Sequence, residues 1–85
     1  MLENATVVIM AMSNSLTIML ETNEDGKYVE RRRVNTFFPM LETALTDIVK
    51  GYTIDRILIN DTKFGQRIYE MLKNKDFNCP IQIFD

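Results

Sequence analysis

Eighty-five residues, 46% hydrophobic and 26% charged, describe one folded domain over residues 1–85, too short for a second and too apolar for a disordered chain. Ten Lys and Arg against twelve Asp and Glu leave a net charge of −2, which disfavours a protein built to wrap a polyanion. With no histidine and a single cysteine, Cys79, the commonest general base is missing and no internal disulfide can form, so a reducing, cytoplasmic setting is expected.

Met-Leu-Glu-Asn-Ala at the start lacks the basic residues of a signal peptide, and the longest apolar run, Val7 to Met12, is too short to span a bilayer. Without a secretory signal, the sequons at Asn4 and Asn60 are expected to be chance matches. Ala5–Met12, rich in Val, Ile and Met and free of charge, predicts a strand buried on both faces. After the turn residues Ser13-Asn14-Ser15, Leu16, Ile18 and Leu20 alternate with Thr17 and Met19, the period of a second strand. Asn23-Glu24-Asp25-Gly26 closes a hairpin. Tyr28 to Val34 carries Glu30, Arg31, Arg32 and Arg33, a charge density suited to an edge strand.

The period then becomes helical through Leu41, Leu45, Ile48, Val49 and Tyr52, with Asn35 or Thr36 as the expected cap, Pro39 in the first turn and Gly51 past the end. Ile54–Ile59 predicts a fourth strand. Asp61 or Thr62 opens a second helix with Phe64, Ile68, Met71 and Leu72 on its inner face, weakened slightly by Gly65. Pro80 blocks continuation, and Ile81, Ile83 and Phe84 make a last short strand. The element order is β-β-β-α-β-α-β. Right-handed crossovers then predict a mixed five-stranded sheet of order 3-2-1-4-5, with the two most apolar strands central and both helices on one face.

This order, running through nearly the whole chain, resembles a minimal core of the ribonuclease H-like fold. Enzymes of that fold bind two metal ions through acidic residues, one on the first strand and another at the end of the fourth. Here Thr6 to Met12 contains no acid and is followed by Ser13 and Asn14; only Asp61 stands where a ligand would be expected. The resemblance therefore implies the fold without the nuclease chemistry.

Three groups of residues are candidates for function. Asn60-Asp61-Thr62-Lys63 lies at the carboxyl end of a parallel strand and opens a helix, with Ser13 and Asn14 facing the same edge, so a small polar or phosphate pocket can form there; a helix cap with solvated neighbours is the plainer reading. Arg31-Arg32-Arg33 with Lys27 is the one basic cluster. Strand alternation puts Arg31 and Arg33 on one face, able to grip phosphates, unless they only solvate an edge. Met10, Met12 and Met19 fall on strands, and any that the helices leave uncovered would form an apolar patch, with ordinary core packing as the alternative. Cys79, without a histidine to activate it, is expected to be structural.

With no catalytic constellation and more apolar sheet than two short helices can cover, the expected function is a non-enzymatic protein-interaction module, forming a homo-oligomer and binding an unidentified protein. No cofactor, metal or membrane partner is expected. The abundance of Asn, Lys, Ile and Met is the kind found in viral or mobile-element accessory proteins that inhibit a host factor. The alternative is a nucleic-acid or nucleotide-binding domain using Lys27, Arg31, Arg33 and the Asp61–Lys63 edge.

Overall fold

The alternation of Leu16, Ile18 and Leu20 with polar or flexible residues sets the first hairpin, and pairing carries its strands well beyond the local pattern. The computed structural model describes residues 2–75 and 77–85. Strands β1 (Glu3–Met12), β2 (Ser15–Glu24) and β3 (Lys27–Phe37) form an antiparallel meander; helix α1 (Leu41–Ile48), strand β4 (Tyr52–Asn60), helix α2 (Lys63–Lys73) and strand β5 (Ile81–Phe84) complete the chain. The sheet order is β3-β2-β1-β4-β5, with β4 and β5 added in parallel, as the sequence predicts.

Both helices pack on one face. Val7, Ile9 and Ala11 of β1, Ile18 and Leu20 of β2, and Ile57 and Ile59 of β4 point towards Leu41, Leu45 and Ile48 of α1 and Ile68 and Leu72 of α2. Removing a Leu or Ile of this size from water stabilises the fold by about 1.5–3 kcal/mol.

Helix α1 starts later than the spacing predicts. Asn35 and Thr36 do not cap it, because pairing with β2 keeps β3 extended through Phe37 opposite Ser15; a 3₁₀ turn with Pro39 follows, and Leu41 opens the helix. At the other end Gly51, at φ 87°, turns the chain, and Tyr52 belongs to β4 rather than to the helix. Helix α2 is capped by Thr62, whose hydroxyl accepts the Gly65 amide at 3.0 Å; Asp61 is not the cap. A side chain at Gly65 would collide with the Asn60 carbonyl oxygen. That glycine is required by the close approach of α2 to β4, and its cost in helix propensity, about 1 kcal/mol, is the smaller effect.

Two bulges adjust the sheet. Asp55 is an extra residue in β4, since Ala5 pairs with Ile54 and Thr6 with Arg56. Arg31 is an extra residue in β3, since Leu20 pairs with Arg32 and Glu21 with Glu30. A bulge shifts the parity of every side chain beyond it.

Candidate functional site

At the carboxyl end of the sheet, Asn60 is buried beside the last residues of β1. Its amide nitrogen donates to the Ala11 carbonyl at 3.0 Å and its amide oxygen accepts the Ala11 N–H at 2.7 Å. Thr62 adds a bond from its hydroxyl to the same carbonyl at 3.2 Å while capping α2. Asp61 is exposed; its backbone N–H donates to the Phe84 carbonyl and its carboxylate accepts from the Gln66 amide. Asn60 and Thr62 thus spend their polar atoms holding β1, β4 and α2 together. Lys63, the first residue of α2, is exposed. Ser13 and Asn14 instead line a cavity of about 240 Å³ with Phe38, Pro39, Phe64 and Arg67, whose guanidinium lies over the Phe38 ring at 6.0 Å. The edge the sequence singles out therefore divides into a structural clamp and a small apolar-walled recess. Among the described residues, no three His, Cys, Asp or Glu side chains gather as a metal-binding group.

The arginines are separated by the bulge in β3. Arg31 does not share a face with Arg33. It turns towards the helix side, where its Nε donates to the Oγ of buried Thr22 at 2.8 Å and its terminal nitrogen pairs with Glu24 at 3.0 Å. Arg32, on that side too, donates to the Ile48 and Lys50 carbonyls at 2.9 and 2.7 Å and covers the Tyr52 ring at 4.9 Å. Arg33 lies on the opposite face, paired with Glu30 at 2.7 Å and touching the Met19 sulfur at 3.4 Å. The hydrogen bond from Arg33 holds the Glu30 carboxyl below its usual range and raises the arginine in turn. Each guanidinium of the cluster has an internal partner. Lys27 stands exposed at the hairpin end, opposite Glu24.

Met10, Met12 and Met19 all lie on the face without helices. Following register across the sheet, that face carries Phe84 of β5, Leu58 of β4, Val8, Met10 and Met12 of β1, Met19 of β2 and Phe37 of β3. Met12 and Phe37 are 68% and 59% exposed, and Ser15 stands between them in the same row. Val8, by contrast, is only 9% exposed, shielded with no helix above it. The other half of the face is polar. Thr6 donates to Asp55 at 2.9 Å, and Arg56 reaches Tyr28 at 2.6 Å. Phe37 escapes sequence reasoning because it reads as the run-up to a helix. Val8 and Leu58 were recoverable, by counting every second residue from Met10 and from Arg56.

Cys79 is half-buried, and burial, with the Asp55 carboxylate second, pushes its thiol above the usual range. It borders an apolar cavity of about 260 Å³ between α1 and the approach to β5, rimmed by the Glu42–Lys75 ion pair.

No helix among the described residues is long and apolar enough to cross a membrane. No family model matches the sequence, and no curated protein matches it. Among solved structures, the chain is similar to the Aquifex aeolicus member of the Ppx/GppA protein family, at 11% identity and a TM-score of 0.50 over 95% of this chain and 34% of that one. A second structure, of the Aquifex aeolicus PPX-GPPA enzyme, aligns at 15% identity and a TM-score of 0.45, covering 95% and 35%. The chain thus spans about a third of the length of these proteins. At such identity the likeness shows a fold of the ribonuclease H-like type.

Proposed function

We propose that the protein is a non-enzymatic interaction module that pairs with a second copy of itself through the helix-free face of its sheet. The observation that carries this reading is the apolar half of that face, from Phe84 across Leu58, Met10 and Met12 to Phe37, with Met12 and Phe37 more than half exposed. Apolar area of that extent is costly to leave in water. The molecule measures 34 × 24 × 21 Å, so its whole broad face, apolar and polar halves together, offers on the order of 800 Å², what one partner contributes to a standard interface. A two-fold contact sets the same patch on both copies and lets it cover itself.

The nucleic-acid reading loses its main support. Arg31, Arg32 and Arg33 would have to surrender the bonds to Glu24, the Ile48 and Lys50 carbonyls, and Glu30 before gripping phosphates.

Sedimentation equilibrium tests the proposal. A mass above 9.9 kDa is expected at micromolar concentration, returning to the monomer in a Met12→Lys/Phe37→Ser variant. Both side chains are exposed, so the variant keeps its fold. A 9.9 kDa species alone at high micromolar concentration overturns the reading.

A further inference from the structure

The two edges of the sheet are built differently. Edge β3 carries Lys27, Glu30, Arg31, Arg32 and Arg33 and is bent by the bulge at Arg31, two devices that keep stray strands from pairing. Edge β5 reads Ile81-Gln82-Ile83-Phe84, with no charge and no bulge. Its backbone directions follow from two bonds: the Ile57 amide donates to the Pro80 carbonyl at 2.9 Å and the Asp61 amide to the Phe84 carbonyl at 2.8 Å. The even-numbered residues of β5 therefore face β4, and Ile81 and Ile83 turn their N–H and C=O groups outward. Their side chains lie on the helix side, packed against the core and half-exposed where the sheet stops.

We infer that β5 pairs with β5 of a second copy, antiparallel about a two-fold axis through Gln82. This contact is separate from the face-to-face pairing proposed above. The occupant follows from the strand's own sequence. Ile81-Gln82-Ile83 is the same read in either direction, so an axis at Gln82 sets Ile81 of each copy opposite Ile83 of the other. Both residues then exchange their outward N–H and C=O groups across the axis. The isoleucines close the half-open end of each core, and the two Gln82 amides meet on the opposite face, where they can hydrogen-bond to each other. Pro80 costs nothing, because its missing N–H lies at a position facing β4. Charge disfavours the other edge as the occupant: β3 would bring its cluster of charges against an apolar, uncharged strand. Four residues cover much less than the roughly 800 Å² per partner of a standard interface, so the contact is weak by itself.

Amide hydrogen exchange across a protein concentration series tests it. The Ile81 and Ile83 amides should exchange at least tenfold more slowly at millimolar than at low micromolar concentration, while Gln82 and Phe84, bonded inward, hold one rate throughout. Ile83→Pro removes an outward donor and leaves the β4 ladder whole. It should abolish the concentration dependence at Ile81 without unfolding the chain. Gln82→Lys sets like charges on the axis and should weaken pairing in a way that salt relieves. Repeating the series in Met12→Lys/Phe37→Ser separates the two contacts: β5 pairing predicts the same dependence there, whatever becomes of the face. Equal Ile81 and Ile83 exchange at every concentration, or an unchanged concentration dependence at Ile81 in Ile83→Pro, overturns the inference.

Discussion

The side-chain amide of Asn60 exchanges two hydrogen bonds with the backbone of Ala11, taking the place of a peptide unit where the regular pairing of β1 with β4 has ended. Both partners are buried, so neither Ala11 group has water to fall back on. A buried donor or acceptor stripped of its partner costs about 1–3 kcal/mol. Asn60→Ala is expected to destabilise the fold by about 2–4 kcal/mol, with the Thr62 bond to the Ala11 carbonyl limiting the loss. Asn60→Asp should cost at least as much at neutral pH, because a carboxylate oxygen would face that carbonyl. Chemical denaturation of the three proteins measures the effect, and a loss under 1 kcal/mol in both variants would contradict the clamp.

Gly65 gives an opposite sign to the usual helix rule. Replacing a helical glycine with alanine ordinarily gains about 1 kcal/mol. Here the added methyl meets the Asn60 backbone, which cannot yield without opening the clamp on Ala11. Overpacking of this kind costs about 1–3 kcal/mol or more, so Gly65→Ala should lower the melting temperature by about 4–8 °C for each kcal/mol lost. A thermal melt at or above the wild-type temperature would mean that α2 can slide away from β4.

These two residues mark the limit of what the sequence discloses. The strand order was legible because Ala5–Met12 carries no charge and Leu16, Ile18 and Leu20 keep a strict period of two. The cap of α2 was legible as local chemistry only down to Asp61 or Thr62, and the bond from the Gly65 amide decides for Thr62. Asn60 reads as one more polar residue at a strand end, since its partner stands 49 residues away. The bulge at Arg31 is set by the partner strand too, and it defeated the alternation that placed Arg31 with Arg33. Phe37 was lost for the same reason: pairing with Ser15 overrode a helix-start pattern. The candidate patch was half visible, through Met10, Met12 and Met19, and half hidden in those long-range pairings.

For nucleic acid, the internal pairing of the arginines makes a direct forecast. Each phosphate contact lowers the logarithm of affinity with a slope of roughly −0.9 against the logarithm of salt on duplex DNA. With Arg31 and Arg33 on opposite faces, no single duplex can take both. Titration of labelled single- and double-stranded oligonucleotides at two salt concentrations should find no sub-micromolar binding, and Arg31→Ala/Arg33→Ala should leave the curves unchanged. Tight, salt-sensitive binding lost in that variant would restore the arginine strand as a phosphate site.

Glu30 offers a titration. Its ordinary value is 4.5, and the hydrogen bond from Arg33 lowers it in the folded protein. A depressed carboxylate lends stability that is present above the unfolded value and lost as pH falls through the folded one. The window therefore lies below about pH 4.5, and it is narrow, since the pair is exposed and screened. Following the Glu30 side-chain carbon by NMR should give a midpoint below the ordinary value in the wild type and a return to it in Arg33→Gln. Equal midpoints would mean that the pair does not persist in solution.

Arg32 is where the bland and functional readings of the basic cluster separate most sharply. Its guanidinium donates to the Ile48 and Lys50 carbonyls, groups that the end of α1 leaves without helical partners, and its flat face covers Tyr52. A cation at a helix C-terminus also opposes the negative end of the macrodipole. The side chain is largely exposed, so the combined effect is modest: Arg32→Ala should cost about 1–2 kcal/mol, read as a lower urea midpoint at constant slope. Arg32→Lys separates the contributions. Lysine keeps the charge but offers a point donor without the fork or the flat stacking surface, so it should recover less than half of the loss. Added salt should erode what lysine recovers and leave most of what arginine supplies, because screening acts on charge and not on a short hydrogen bond to a carbonyl. If lysine matches arginine at low salt and both fall together at high salt, then charge alone fastens β3 to α1. The forked contact would then be incidental, and Arg32 would be free to turn towards a polyanion after all.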